Sequence, residues 1–253
     1  MELKVYADRM SQPARAVLIF CKMNGIEFEE IKVDFIKRET VSPQFKAINP
    51  VGQVPVMVHG GFKLFESNAI LKYLAHAFPG VADHWYPTDL FKRARIDSVL
   101  DWYHLNLRNG IVPLVQSTAL ARPLGREPNP QVAAQAESIL PAAFEMFETF
   151  WLEGDAPFLL GNTQPSIADL NLVCEIMQLE LLDDEVRDRI LGPHKRVKKW
   201  MEDTKDATMP YFEEMHALLF ETKASCKSSS SPSLACRKPP AGPLWPEIRH
   251  TEA

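Results

Sequence analysis

The chain has 253 residues, a formal net charge of −5 and 46% hydrophobic residues. This length suits one large domain or two modest ones. Nothing in the mildly negative charge favours nucleic acid, which requires a clustered basic face. No apolar run approaches the ~20 residues that span a bilayer, and the first residues lack the basic-then-apolar plan of a secretory signal. We therefore expect a cytoplasmic globular protein that binds neither nucleic acid nor a membrane.

The four cysteines are widely spaced and form no CxxC pair; they are Cys21, Cys174, Cys226 and Cys236. This spacing suggests neither a disulfide framework nor a zinc site. The seven histidines are scattered, and none has the spacing of a metal ligand. We expect reduced thiols, as in cytosolic proteins, and no bound metal.

The first 80 residues alternate between strand-like and helix-like patterns, as an α/β unit does. Strands are predicted over residues 3–7, 28–33, 54–58 and 62–65. Helices are predicted to begin near Pro13, Ser42 and Ala69; a proline suits the first turn, where its missing N–H would be unpaired anyway. The predicted order of elements in residues 1–80 is β-α-β-α-β-β-α.

Residues 79–87 have the prolines, the glycine and the weak periodicity of a linker. Beyond the linker the patterns are helical. One long helix is predicted over residues 90–108, an apolar stripe over 139–151, a largely apolar helix over 166–182 and another helix around Trp200. The predicted fold class is thus α/β plus all-α, with a helical domain over residues 89–221.

A tail from residue 222 to residue 253 differs in composition from the rest of the chain. It is rich in Ser, Pro and Lys, with an unbroken serine run from 228 to 231. Such a segment buries too little apolar surface to offset its ordering entropy, so we predict a disordered tail. The alternative is a flap over a substrate pocket, which the apolar pair Leu244 and Trp245 would anchor.

Four stretches resemble the glutathione transferase superfamily: residues 11–17 (SQPARAV), 49–55 (NPVGQVP), 64–74 (LFESNAILKYL) and 166–169 (SIAD). The segment ADHWYP at 82–87 is also similar to the theta class, particularly that of plants. The resemblance implies a thioredoxin-like domain followed by an all-helical domain, and a homodimer. It also implies glutathione as co-substrate, with no metal and no nucleotide.

In the theta class the serine of the first motif activates glutathione, so the resemblance implies that Ser11 is catalytic. A thiolate, not a thiol, is the nucleophile, and a hydroxyl aimed at the sulfur stabilises the anion. The adjacent helix N-terminus adds unpaired N–H groups and partial positive charge. Arg15 would contribute either a longer-range field or a structural charge. A redox member of the fold would carry CxxC here, so thiol–disulfide exchange is disfavoured.

The resemblance extends to a glutathione-binding set: Ser11, Gln12, Arg38, Thr40, Val41, Gln53, Val54, Pro55, Glu66 and Ser67. Val54 would offer its backbone to the peptide, ahead of a cis proline at Pro55. Glu66 would accept from the α-ammonium group, and Ser67 would donate to the α-carboxylate or serve as a plain helix cap.

Thr40 stands where animal theta enzymes commonly carry a histidine that contacts the glycyl carboxylate. Either Lys37 or Arg38 would have to supply the missing charge. Four residues of the long helix are candidates for the electrophile pocket or for the core: Trp102, Tyr103, Leu107 and Ile111. Asp169, three residues after Ser166, is assigned to helix capping.

These features favour an enzyme that joins the glutathione thiol to small hydrophobic electrophiles, with reduction of organic hydroperoxides as an additional activity. The first alternative is a ligand carrier that keeps the glutathione site with little turnover. The second is an appendage of a translation or chaperone factor. The lack of a large fused domain argues against this second alternative. The C-terminal Thr251-Glu252-Ala253 lacks the basic middle residue of a peroxisomal tripeptide, which also favours the cytoplasm.

Overall fold

The computed structural model describes residues 1–228, and their side chains up to residue 225. Its N-terminal part holds a four-stranded sheet with β1 (Leu3–Ala7), β2 (Glu29–Lys32), β3 (Val56–His59) and β4 (Phe62–Phe65), in the order β2-β1-β3-β4. β1 runs parallel to β2 and antiparallel to β3, which pairs antiparallel with β4. Because β1 and β2 are parallel, their C-terminal ends lie at the same edge of the sheet, where the loops after both strands begin.

Three helices complete this unit: α1 (Gln12–Met23), α2 (Pro43–Lys46) and α3 (Ser67–Ala77). Short 3₁₀ turns lie at Glu39–Val41 and Asp83–Trp85. Every residue of α1 from Ala14 to Cys21 is buried, because α1 packs on the sheet, on α3 and on the helices that follow. An amphipathic surface helix would bury a single stripe. α1 is therefore the element around which the two halves of the molecule join.

Eight helices follow: α4 (Leu90–Leu105), α5 (Leu107–Ser117), α6 (Pro130–Glu137), α7 (Leu140–Met146), α8 (Ile167–Ile176), α9 (Asp184–Leu191), α10 (Lys195–Ala207) and α11 (Tyr211–Ser228). A π-helical turn spans Phe147–Trp151, and 3₁₀ turns lie at Leu159–Gly161 and Met177–Leu181. Within residues 1–228 no strand follows β4. The predicted fold class, a thioredoxin-like domain followed by an all-helical domain, is confirmed.

The helix predicted over residues 90–108 is divided in two at Asn106. The Asn106 side chain donates to the carbonyl of Trp102 at 2.7 Å, and its backbone dihedrals, φ −115° and ψ −86°, lie outside the helical region. An Asn side chain that bonds to nearby carbonyls offers the backbone an alternative to the helix. The break changes which side chains of the following helix α5 point toward the core and which point away from it.

The helix α8 is buried on all sides, and its start is fixed as the sequence predicts. Ser166 and Asp169 form a reciprocal capping box at its N-terminus. Asp169, itself fully buried, also accepts hydrogen bonds from the backbone of Leu159 and from the indole of Trp200. The cap is thus also a junction of three segments of the helical domain.

The last helix, α11, continues to Ser228, past residue 221 where the sequence analysis ended the helical domain. Its Lys223 forms ion pairs with Glu180 and Asp184, so this end of the helix is fastened to the turn before α9. The division of the chain into domains remains a prediction in its other details. The rest of the predicted tail, with Leu244, Trp245 and Cys236, lies outside the described residues.

Among the helices within residues 1–228, none combines the length and the apolar stretch that a membrane span requires.

Candidate functional site

A cleft of about 1440 Å³ opens between the sheet domain and the helical domain. Its walls come from the loops after β1 and β2, the loop before β3, the start of α3, and helices α4, α5 and α11. The structure brings all ten residues of the predicted glutathione-binding set to this cleft: Ser11, Gln12, Arg38, Thr40, Val41, Gln53, Val54, Pro55, Glu66 and Ser67. Residues far apart in sequence thus converge on one surface.

The loop that presents Ser11 is fastened by hydrogen bonds on both sides. The Asp8 carboxylate accepts from the backbone N–H of Met10 at 2.8 Å and of Phe35 at 3.1 Å, which ties the loop to the segment after β2. The N–H of Ser11 donates to the Asp8 carbonyl at 2.8 Å. Ser11 is the N-cap residue of α1, yet its side chain makes no capping hydrogen bond. The hydroxyl therefore stays available to a ligand beside the N–H groups of the first turn.

Arg15 is fully buried beneath this loop and is absent from the residues that line the cleft. Its Nη1 donates to the carbonyls of Arg9 and Met10 at 2.9 and 3.1 Å, and its Nη2 to the carbonyl of Cys174 at 3.0 Å and to Gln178 Oε1 at 2.9 Å. Burial lowers the pKa of this guanidinium. Of the two roles that the sequence left open, the contacts favour the structural one, because they lock the loop ahead of Ser11 onto the helical domain.

The loop before β3 is organised by Asn49, which the sequence analysis did not select as a site residue. The Asn49 side chain donates to the carbonyl of Gln53 at 2.8 Å and accepts from the N–H of Val51 at 3.0 Å. Gly52 has φ +72°, and a Cβ there would lie 3.0 Å from the Thr40 carbonyl oxygen. The Val54–Pro55 peptide bond is cis, as the resemblance implies. The motif therefore brings the Thr40 carbonyl close to the backbone of Gly52.

Glu66 and Ser67 lie where β4 passes into α3. Glu66 occupies the N-cap position with φ 71° and ψ 111°, and its side chain makes no capping bond. Ser67 is the first residue of the helix and only 5% exposed. Ser67 is thus not the helix cap, which removes one of the two roles considered for it. Burial raises the pKa of Tyr103, and the Ser67 side chain opposes that shift.

The two candidate cations near Thr40 differ in their surroundings. Lys37 is exposed, and its ammonium pairs with Asp34 at 3.2 Å. Both residues line the cleft, but Arg38, with φ 59°, has a buried Nε with no hydrogen-bond partner among the described residues. Buried donors are normally paired. The structure therefore favours Arg38 over Lys37 as the charge that faces a ligand.

Of the four residues considered for the electrophile pocket or for the core, only Tyr103 lines the cleft, and the other three belong to the core. Trp102 packs against Phe147 and Trp151, with ring centroids 6.5 and 5.7 Å away. Leu107 and Ile111 are fully buried in the core. After the break at Asn106, α5 turns Arg108, Val112 and Val115 to the cleft, so Leu107 and Ile111 face the core.

The helical wall of the cleft is built instead from α5, the segment after it, and α11. Its apolar residues are Val112, Val115, Leu120, Leu124, Ala217 and Leu218, and its polar residues include Arg108, Gln116 and Arg126. Val112 and Val115 follow Arg108 at helical spacing. This helical pattern beyond residue 108 is the sequence signal that could have identified the wall residues of α5. The wall offers an apolar surface bordered by cationic side chains and by the acidic Glu214 and Glu221 of α11.

Within the described part of the chain, no group of three or more His, Cys, Asp or Glu side chains is placed to hold a metal ion. Cys21 and Cys174 are both free and buried, and burial raises the pKa of each thiol to about 12. These thiols are protonated at neutral pH and contribute no nucleophile.

Comparison with known proteins agrees with this architecture. The glutathione S-transferase N-terminal domain model matches residues 1–76, and the C-terminal domain model matches residues 130–203. Glutathione S-transferase T1 of Arabidopsis thaliana is 60% identical, with 88% of this chain and 91% of that protein covered. Glutathione S-transferase theta-1 of Mus musculus is 36% identical over the same shares.

The structure is also similar to solved theta-class enzymes. Human glutathione S-transferase T1-1 in its apo form superposes with a TM-score of 0.77 at 34% identity, covering 88% of this chain and 91% of that one. Human glutathione transferase theta-2, solved with glutathione and an unknown ligand, gives 0.80 at 29% identity, covering 90% and 91%. A thioredoxin-like domain that shares a cleft with a helical domain is thus the framework of an enzyme that uses glutathione.

The chain belongs to the glutathione S-transferase family, in the theta class as found in plants. It is an enzyme with glutathione as co-substrate, and its reaction joins the glutathione thiol to an electrophile.

Proposed function

We propose that Ser11 activates the bound thiol for conjugation to small hydrophobic electrophiles. The observation that supports this is the uncapped Ser11 hydroxyl in the cleft, at the N-terminus of α1. The hydroxyl donates to the glutathione sulfur, the thiol loses its proton to water, and the thiolate attacks the electrophilic carbon. A carbon–sulfur bond forms as the leaving group departs with its electron pair. Such catalysis requires mainly thiolate stabilisation and proximity.

The remaining glutathione contacts are proposed along one side of the cleft. Val54 pairs through its backbone with the cysteinyl part of the peptide, as an added strand would. Glu66 accepts from the α-ammonium group and Ser67 donates to the α-carboxylate. Gln53 and Thr40 lie toward the glycyl end. The electrophile occupies the apolar wall of α5 and α11.

A panel of electrophiles with and without glutathione tests this function. Halide release from a small alkyl halide is expected only with glutathione present, whereas a ligand carrier would bind glutathione with little release. Reduction of organic hydroperoxides is the additional activity that we propose. It would consume two glutathione molecules and yield an alcohol, water and glutathione disulfide, and cumene hydroperoxide is the probe. Failure of both assays would favour the carrier.

Arg38 is proposed to bind the glycyl carboxylate in place of the histidine that Thr40 replaces. A charged hydrogen bond of this kind contributes about 1.5–3 kcal/mol. Arg38→Ala is expected to raise the KM for glutathione roughly tenfold or more, with kcat less affected, because uniform binding is lost. Steady-state kinetics at fixed electrophile concentration measures this effect.

Lys37→Ala is the matched control, because the neighbouring Lys37 is paired with Asp34 in solvent. Its KM for glutathione should stay near the wild-type value. Equal effects of the two variants, or an unchanged KM in Arg38→Ala, would contradict the assignment.

A homodimer is proposed, in which the sheet domain of each subunit contacts the helical domain of the other. Exposed apolar side chains on both domains support it: Val51, Phe62 and Phe65 on the first, and Leu90, Phe91 and Leu105 on the second. Two-fold dimers are also the commonest closed assembly. Light scattering should return about twice the 28.7 kDa chain mass. Leu105→Asp should shift the mass toward the monomer, and a wild-type monomer at micromolar concentration would refute the proposal.

The cytoplasm is the proposed location. A fluorescent fusion that leaves the C-terminus free should be diffuse, and colocalisation with peroxisomes would contradict the proposal.

A further inference from the structure

A single buried carboxylate, that of Glu175 on α8, bridges the two sides of the cleft. Its Oε2 accepts from Arg108 Nη1 on α5 at 2.6 Å. Its Oε1 accepts from Gln12 Nε2 on α1 at 3.3 Å. Glu175 is 1% exposed and lines no part of the cleft, whereas both of its partners do. It can therefore touch a substrate only through them.

The two partners belong to different halves of the site. Gln12 follows Ser11 directly and is part of the glutathione-binding set. Arg108 stands beside Val112 on the apolar wall proposed for the electrophile, and its side chain is 30% exposed. Because Glu175 accepts one N–H of the Gln12 amide, the amide oxygen and the second N–H remain available to a ligand. Because one Arg108 nitrogen is engaged, the orientation of the remaining donors is limited.

The charge of Glu175 is partly compensated by positive neighbours. Burial raises the pKa of its carboxyl, and the guanidinium of Arg108 opposes that shift. The buried Arg15 adds a second positive charge nearby. A buried carboxylate keeps a narrow geometry, since moving a partner away leaves charge unpaired in a low-dielectric environment. The bridge is thus stiff compared with an exposed ion pair.

We infer that Glu175 is a positioning residue that fixes the glutathione side of the cleft relative to the electrophile side, through Gln12 on one side and Arg108 on the other. The inference rests on the proposed placement of the two substrates. Conjugation depends on the alignment of sulfur and carbon, and a misplacement of about 1 Å can cost roughly 100-fold in rate. One shared carboxylate makes the two alignments interdependent.

Glu175→Gln, which keeps the shape and removes the charge, is the main test. With glutathione and benzyl chloride as substrates and halide release as the signal, we expect kcat to fall about tenfold. The KM should rise severalfold for each of the two substrates. A role confined to stability would lower the melting temperature and leave both KM values unchanged, which would overturn the inference.

Mutant cycles locate the effect. In an Arg108→Gln background, Glu175→Gln should no longer change the KM for benzyl chloride but should still raise the KM for glutathione. In a Gln12→Ala background the reverse should hold. Independent, multiplicative effects in both backgrounds would overturn the inference, because they would show that Glu175 acts on neither substrate through these partners.

A second cycle needs no change at Glu175, should that variant fail to fold. Gln12→Ala and Arg108→Gln should be non-additive in kcat, since the structure gives both residues the shared partner Glu175. Additivity would overturn the inference. Absence of glutathione-dependent halide release from the wild-type enzyme would instead contradict the proposed function, so the two failures are distinguishable.

Discussion

Ser11→Ala is expected to lower turnover at neutral pH about 10- to 100-fold and to move the pH–rate profile upward by about one to two units. A hydrogen bond to the sulfur favours the thiolate and so lowers the pKa of the bound thiol. Its loss, about 1.5–3 kcal/mol for a charged acceptor, raises that pKa. Less thiolate is then present at neutral pH, and the rate should recover as the pH rises above the new pKa. Ultraviolet titration of the bound thiolate measures the shift directly.

Tyr6→Phe is the control that separates this enzyme from tyrosine-type transferases. Tyr6 lies on β1, does not line the cleft, and packs edge-on against Phe45 with ring centroids 6.3 Å apart. Its hydroxyl is therefore not placed to reach the sulfur, and the pH–rate profile should stay where it is. The catalytic assignment would be wrong if Tyr6→Phe abolished the thiolate while Ser11→Ala retained it.

Asp169→Ala is expected to destabilise the protein by roughly 3–5 kcal/mol, the largest stability effect that we predict for one residue. The fully buried carboxylate accepts from the N–H and the Oγ of Ser166 at 2.8 Å, from Trp200 Nε1 at 2.8 Å, and from the N–H of Leu159 at 3.0 Å. Alanine would leave several buried donors unpaired, each at a cost of about 1–3 kcal/mol before relaxation. Urea unfolding followed by circular dichroism measures the loss.

Ser166→Ala is the matched comparison, because it removes one side of the cap and leaves Asp169 bound to Trp200 and Leu159. The expected cost is about 1 kcal/mol, the usual value of an N-cap. If the two variants were equally destabilised, capping alone would account for Asp169, and its contacts to Trp200 and Leu159 would contribute little. Catalytic constants of the folded fraction should stay near wild type in both variants, since neither side chain lines the cleft.

The ten residues predicted to bind glutathione all line the cleft, and the sequence could select them because they lie in short, ordered motifs. Ser11, Gln53 to Pro55, and Glu66 with Ser67 each follow a strand or precede one, where the local sequence dictates the turn. The electrophile side was predictable only at Tyr103. Which residues line this side depends on the helix faces that α4 and α5 turn toward the cleft. The break at Asn106 lies between these two helices and changes the face that α5 presents. At that break the Asn106 side chain donates to the carbonyl of Trp102.

The sequence by itself indicated the family, the strand and helix order of the first half, the capping box of α8 and Ser11 as the residue proposed to activate the thiol, because each is encoded within a few consecutive residues. Only the tertiary structure showed that Lys37 is paired with Asp34 while Arg38 has a buried Nε without a partner among the described residues, assigned Arg15 to a buried position that locks the loop, and brought Glu175 between Gln12 and Arg108. These three results depend on burial and on contacts between residues that are far apart in the sequence. A charged residue has the same appearance in a sequence whether it is solvated, paired or buried, and its neighbours across the fold alone make the difference.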